Sequence, residues 1–421
     1  MATLLVLGLA ACGNKPNDST PDSTPASTQP SGTTTTSSTA STTTTVGRSE
    51  QTPASTENVT TTITKPPISN YKPKPATAQT LANSKYLLTQ KKAFNVAYYG
   101  GSITQGTGAS KENQTSWRAI TTAWLKSAYP DANITEIEAA VGGTGTFYGK
   151  MRAETDLLNY NPDLVFIEFV VNEPIDGTPL NKSKENLEVI IRKCYQKNPN
   201  IDIVLVYTCT AGSGTSNQVT QVFDEVANHY GLPIINVAKA IHKAGGDITQ
   251  YYTSDKVHPN DKGYKAIADE VIAQMTAMLA KAGSPTKLTA HQNPQPIKEN
   301  ISLSTKIHTV DDILAQNPSL TRKGPNLYFE VDSAQLNKGN TLTFTFKGTS
   351  VGIRWRSFDK QSSTKIACHL DGQPVVIKEL NHEMGTKTYE LFGDLENTTH
   401  TLTFTYTGST NMYVPYIFTT N

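Results

Sequence analysis

The sequence predicts a layered α/β/α domain followed by an all-β sandwich. Three observations predict it. Short apolar runs alternate with stretches of helical period between about Phe94 and Leu279, the pattern changes to period two after Gly283-Ser284-Pro285, and a Ser/Thr/Pro-rich stretch precedes both. A chain of 421 residues has room for two or three domains with a sizeable core. Its 37 Lys and Arg stand against 36 Asp and Glu, a formal charge of +1, so no global basic field exists to hold phosphate backbones. Nucleic acid is therefore not an expected partner.

Residues 3 to 11 form an apolar run too short for the ~20 residues of a membrane-spanning helix, and they read as the h-region of an export signal. The run ends in Leu9-Ala10-Ala11-Cys12, which resembles the lipobox of bacterial lipoproteins. That resemblance implies a lipoprotein signal over 1–12, with Cys12 lipidated as the mature N-terminus. No Lys or Arg precedes the run, and an ordinary signal peptide is the alternative. Residues 13–67 include Thr33-Thr34-Thr35-Thr36 and Thr42-Thr43-Thr44-Thr45. They cannot bury enough apolar surface to offset their ordering entropy and read as a disordered tether.

The catalytic domain is expected over 68–283. Asn95–Tyr99, Leu164–Val170, Ile201–Val206 and Leu232–Ile235 are short apolar runs of the kind buried on both faces of a parallel sheet. Helical spacing covers Trp117–Ala128, Met151–Leu158, Lys184–Gln196, Gln218–Tyr230 and Gly263–Leu279. Cys194, Cys209 and Cys368 lack metal-ligand spacing, and an odd number cannot complete a disulfide set, so they read as buried thiols. No later stretch approaches eighteen consecutive apolar residues, which leaves a lipid as the only expected membrane attachment.

Over 284–421, Leu342–Phe346, Val351–Trp355 and Leu402–Tyr406 alternate with period two, as half-buried antiparallel strands do. Asp371-Gly372 is a hairpin signal, and seven or so short strands fit a sandwich. Tyr328, Trp355, Tyr413 and Tyr416 would stack on sugar faces if exposed, although an aromatic residue in an alternating strand is more often core.

Chemistry concentrates at strand ends. Gly100-Gly101-Ser102-Ile103-Thr104-Gln105-Gly106 follows the first strand, where open α/β sheets bind ligands. Alone, it is equally a strand-to-helix turn with a capping serine. Asp255-Lys256-Val257-His258 puts a carboxylate three residues before a histidine, an arrangement suited to an oriented general base. Gly142-Gly143-Thr144 and Asn172-Glu173 open onto the same edge. A glycine N–H and the Asn172 amide can hold a developing oxyanion, while the plain alternatives are a flexible turn and an Asx cap.

Together these segments resemble the SGNH (GDSL-like) hydrolase superfamily over roughly Phe94 to Ala280, in its Gly-Gly-Ser-Ile-Thr variant. By that resemblance Ser102 is the nucleophile, and Gly143 and Asn172 are the block-two and block-three oxyanion donors. Asp255 and His258 complete a triad. Gly101 replaces the aspartate common in the family, Glu173 stands where aspartate often follows the asparagine, and the register within Gly142-Gly143 stays open by one residue. The resemblance implies a flavodoxin-like three-layer fold and an acyl-enzyme mechanism, with an oxyanion held by Ser102 N–H, Gly143 N–H and Asn172, and no metal or organic cofactor. The C-terminal region resembles, more loosely, the carbohydrate-binding-type jelly rolls that accompany such esterases.

Anchor, tether, ester-cleaving domain and glycan-type module together point to an extracytoplasmic, lipid-anchored esterase of bacterial type. Its expected partner is an acylated, foremost O-acetylated, polysaccharide. The rivals are an O-acyltransferase using the same residues and an idle hydrolase fold whose β-domain binds glycan. The oligomeric state is left open.

Overall fold

The computed structural model describes residues 80–325, 331–357, 364–380 and 386–421, all within one compact unit, Ser69–Asn421. The expected signal and tether, Cys12 included, lie outside the described residues, as does Tyr328. Among the described residues no helix is long and apolar enough to cross a membrane.

Five parallel strands, β1 (Ala93–Gly100), β2 (Asn133–Ala140), β3 (Leu164–Glu168), β4 (Asp202–Tyr207) and β5 (Ile234–Asn236), form a sheet in the order β2-β1-β3-β4-β5. This is the flavodoxin-like order, with its switch point between β1 and β3, where a crevice opens at the carboxyl ends. Every position of β3 and β4 is buried, hence their continuous apolar runs. The edge strand β2 alternates instead, with one face on the core.

The helices that flank the sheet and the serine turn include α1 (Ala82–Thr89), α2 (Ser102–Gln105), α3 (Trp117–Ala128), α4 (Thr146–Arg152), α5 (Leu180–Lys197), α6 (Gln218–Tyr230) and α7 (Asp261–Lys281). On one face of the sheet Trp117, Leu125, Tyr264 and Val271 pack against Phe94, Tyr98 and Phe166. On the other, Leu187, Ile190, Ile191, Phe223 and Val226 pack against Tyr99, Val165 and Ile203. The result is three layers. Local chemistry fixes the helix starts: the Ser116 hydroxyl accepts from Ala119 N–H, Asn217 forms a capping box with Thr220, and Asn260 accepts from Gly263 N–H.

The helix expected over Met151–Leu158 is displaced. It begins at Thr146 and loosens after Arg152 into a π turn, Ala153–Leu157, and a 3₁₀ turn, Leu158–Tyr160. Its first half escapes a periodicity count because Phe147 and Tyr148 pack on the C-terminal domain, with Phe418.

That domain is a two-sheet antiparallel sandwich with, among the described residues, ten strands, more than the seven or so expected: β6 (Thr305–His308), β7 (Thr321–Lys323), β8 (Ser333–Leu336), β9 (Thr341–Gly348), β10 (Ser350–Ser357), β11 (Thr364–Leu370), β12 (Gln373–Leu380), β13 (Lys387–Phe392), β14 (Thr398–Tyr406) and β15 (Met412–Thr420). One sheet runs β13-β10-β15-β8-β7 with β6 on β15, and the other β12-β11-β14-β9. The additional strands are the three- and four-residue pieces β6, β7 and β8, too short to show an alternation. Asp371 (φ 53°) and Gly372 (φ 77°) join β11 to β12. Positive φ at both centres is what an Asp-Gly hairpin turn supplies. Trp355 lies in the sandwich core, and Tyr413 and Tyr416 are half-buried. Cys194, Cys209 and Cys368 are buried.

Between α7 and β6 the chain runs back along the catalytic domain. Arg192 donates to the Pro294 carbonyl at 2.7 Å, His291 Nε2 meets the buried Asp202 carboxylate at 2.9 Å, and Glu188 accepts from Ile297 N–H at 2.6 Å. The sandwich then docks on α4. Phe418 lies 5.4 Å from the Tyr148 ring and 6.0 Å from that of Phe147, and the Arg354 guanidinium sits 4.5 Å over Tyr148. Gly352 allows this approach, since a Cβ there would lie 2.5 Å from the Phe147 ring. Lys182 and Lys298 clasp Asp394 at 2.7 and 2.6 Å. Phe418 is fully buried, so Phe418→Ala is expected to cost about 3–5 kcal/mol. Urea unfolding checks this, and a loss below about 1 kcal/mol would show that the interface contributes little.

Candidate active site

Strand β1 ends at Gly100, and the chain turns at once into α2, whose first residue is Ser102. Ser102 is half-buried, and its Oγ lies 2.8 Å from His258 Nε2. His258 Nδ1 lies 2.6 Å from Asp255 Oδ2. The other Asp255 oxygen accepts from the N–H groups of His258 (2.9 Å) and Val257 (2.8 Å) and from the Thr253 hydroxyl (2.7 Å). Partial burial pushes the Asp255 carboxyl up. The His258 ring, the two N–H groups and Thr253 more than offset this and hold it well below the usual carboxylate range. Between the two residues Lys256 turns through φ 60°, and its carbonyl accepts from Ala211 N–H. An anionic Asp255 accepting from Nδ1–H leaves Nε2 facing the serine as a base.

Asn172 follows β3 and is 7% exposed. Its Nδ2 donates to the Thr144 carbonyl at 2.9 Å, which points the amide across the β1/β3 crevice and leaves its second N–H unspent. The two glycines of the neighbouring turn differ. A Cβ on Gly142 would lie 3.5 Å from Ser102 Cβ, whereas one on Gly143 would meet nothing within 4 Å. Gly143 holds φ 68°, and Gly142 N–H donates to Gln105 Oε1 at 3.1 Å. Gly142 is thus the glycine in contact with the serine, and Gly143 provides the left-handed backbone that turns the chain. Sequence reasoning could not choose between adjacent glycines, because either fits the motif.

Two buried carboxylates escaped assignment from the sequence. Glu173, fully buried, accepts from Thr146 N–H at the start of α4 and from the Ser183 hydroxyl on α5. It joins the Asn172 segment to the turn carrying Gly142. Glu168 closes β3 beneath the serine turn. The signal for Glu168 was present: a charge inside a run buried on both faces requires partners. Among the described residues no cluster of three or more His, Cys, Asp or Glu could hold a metal ion.

Residues 98–266 match the GDSL-like Lipase/Acylhydrolase family. This segment is a GDSL-like acylhydrolase domain. It contains Ser102, Gly142, Gly143, Asn172, Asp255 and His258. No curated protein matches the chain. Among solved structures, a two-domain esterase (CEX) active on acetylated mannans is similar over 82% of this chain and 97% of its own, at 24% identity and a TM-score of 0.67. The same esterase co-crystallized with mannopentaose matches over 82% and 96%, again at 24% identity and 0.67. Axe2, an acetylxylan esterase from Geobacillus stearothermophilus, covers 43% of this chain and 94% of its own at 17% identity, with a TM-score of 0.37. The acylhydrolase domain and the sandwich thus share their two-domain fold with a known esterase.

Proposed function

We propose that the chain is a serine esterase that removes O-acyl groups, foremost O-acetyl, from an extracellular polysaccharide. The observation that carries this reading is the continuous relay from Ser102 Oγ through His258 to Asp255 at the sheet's carboxyl edge. His258 accepts the Ser102 proton as Oγ attacks the ester carbonyl. The oxyanion is held by Ser102 N–H, the free N–H of the Asn172 amide and an N–H of the Gly142-Gly143 turn. With Gly142 N–H donating to Gln105, either Gly143 supplies that bond or Gln105 yields Gly142. The protonated His258 then donates to the departing alcohol, and water activated by His258 releases the acid and restores Ser102.

Sharing an architecture with an esterase active on acetylated mannans supports a glycan ester, with acetylated mannan the first polymer to test. The Leu9-Ala10-Ala11-Cys12 run and the Ser/Thr/Pro-rich stretch support a lipid anchor outside the cytoplasm. The test is hydrolysis of p-nitrophenyl esters of increasing acyl length, together with acetate release from acetylated mannan and xylan. Preference for acetate and release from a polymer are expected. Preference for long acyl chains, or acyl transfer to added glycan in place of hydrolysis, would overturn the reading.

A further inference from the structure

Glu168 is 1% exposed, at the last position of a strand buried throughout, paired in register with Gly100. Among the described residues no basic side chain forms an ion pair with it. Four donors face it instead. The Thr104 hydroxyl reaches one oxygen at 2.8 Å and the Thr208 hydroxyl the other at 2.6 Å, and the backbone N–H groups of Gly101 and Thr104 complete the set. A carboxylate offers about four lone-pair sites, so an anion here is saturated by neutral dipoles. Burial raises the carboxyl above the usual carboxylate range, and the hydrogen bonds from Thr208, Thr104 and Gly101 offset this only in part. The two backbone N–H groups can only donate, so a protonated carboxyl would have to turn its hydrogen toward a threonine hydroxyl.

The placement of the donors matters more than their number. Three of them, on Gly101 and Thr104, bracket Ser102 in sequence, and Thr208 lies just past the end of β4, across the crevice. Gly101 also packs directly against the Asn172 amide, where a Cβ would come within 2.0 Å of Nδ2. Movement of this turn therefore displaces the nucleophile and an oxyanion donor together.

We propose that Glu168 is a positioning residue: a buried carboxylate that fixes the Gly101–Thr104 turn, and with it the direction of the Ser102 hydroxyl and N–H. This rests on the reading of Ser102 as nucleophile. Because Glu168 is buried beneath the turn, out of reach of a substrate, its loss is expected to act on kcat and not on KM. Near-attack geometry that slips by about 1 Å costs on the order of 100-fold.

The test compares Glu168→Gln, Thr208→Val, Thr208→Ser and Ser102→Ala with the wild type. Readouts are p-nitrophenyl acetate kinetics and the rate at which a fluorophosphonate probe labels the serine. Glu168→Gln keeps the shape but turns an acceptor toward the donors as a donor. It is expected to lower kcat and labelling in parallel by roughly 100-fold, with KM within about threefold. Thr208→Val, which keeps packing and removes one donor, is expected to slow both several-fold, and Thr208→Ser to restore them. A folded Glu168→Gln with kcat within about threefold of wild type overturns the proposal, as does a Thr208→Ser no better than Thr208→Val. If Glu168→Gln does not fold, the Thr208 pair decides. Inactive Ser102→Ala beside unaffected Glu168 and Thr208 variants sinks this inference alone. A wild type that neither hydrolyses ester nor labels, or a fully active Ser102→Ala, sinks the esterase reading and this inference with it.

Discussion

Ser102→Ala is expected to reduce kcat on p-nitrophenyl acetate by about 10⁴-fold or more while the protein melts as the wild type does. The first part follows from the relay: His258 Nε2 faces the Ser102 oxygen and Asp255 faces Nδ1, so removing Oγ leaves an oriented base with nothing to deprotonate. The second follows from burial. The His258 side chain is 21% exposed, so water replaces the lost hydroxyl at Nε2, and the variant creates neither a large cavity nor a buried unsatisfied group. Steady-state kinetics beside a thermal melt check both. Residual turnover above about one per cent, free of wild-type contamination, would mean that another group attacks the ester.

Gly101→Ala is expected to be the most damaging conservative change near the site. Gly101 adopts φ −95° and ψ −153°, extended backbone open to any residue, so conformational freedom does not explain the glycine. Space does: a Cβ would lie 2.0 Å from Asn172 Nδ2 and 3.4 Å from the Thr144 carbonyl that holds this amide. The new methyl must push Asn172 off its bond to Thr144. Losing one oxyanion donor costs on the order of 100-fold in kcat, with KM little changed. Gly101→Asp, which puts a larger, charged side chain into the same space, is expected to lose more. A Gly101→Ala variant that keeps more than about a third of wild-type kcat would show that Asn172 gives way without cost, or does not hold the oxyanion.

Legibility in the sequence followed how local each cause is. The apolar runs of β1, β3, β4 and β5 mark a parallel sheet because burial on both faces removes polar positions, and Asp371-Gly372 marks a hairpin because few other pairs accept two positive φ values. Ser102 and Asn172 were legible in short motifs after β1 and β3, and Asp255 and His258 in the Asp-x-x-His just before α7, and the fold brings Ser102, His258 and Asp255 within hydrogen-bond reach of one another. Other features depend on partners distant in sequence. Nothing near Phe147 announces that Phe418 will cover it, so the start of α4 was misplaced. Thr104 and Thr208 look like ordinary strand-end threonines until the fold sets both against Glu168. Telling Gly142 from Gly143 needed coordinates, since they differ in what lies beside them and in the positive φ that Gly143 alone adopts.

The docking of β15 on α4 carries a consequence for the order of events during synthesis. Every strand of the catalytic sheet precedes residue 237, so that sheet can pair while the remainder is still being made. The face of α4 formed by Phe147, Tyr148 and Met151 stays open to solvent until Phe418 has emerged and β15 has joined β10, β8 and β6. A nascent or prematurely terminated chain therefore displays an adhesive aromatic patch beside the nucleophile turn for the whole interval needed to translate the sandwich. That patch is covered only when β15 closes over it.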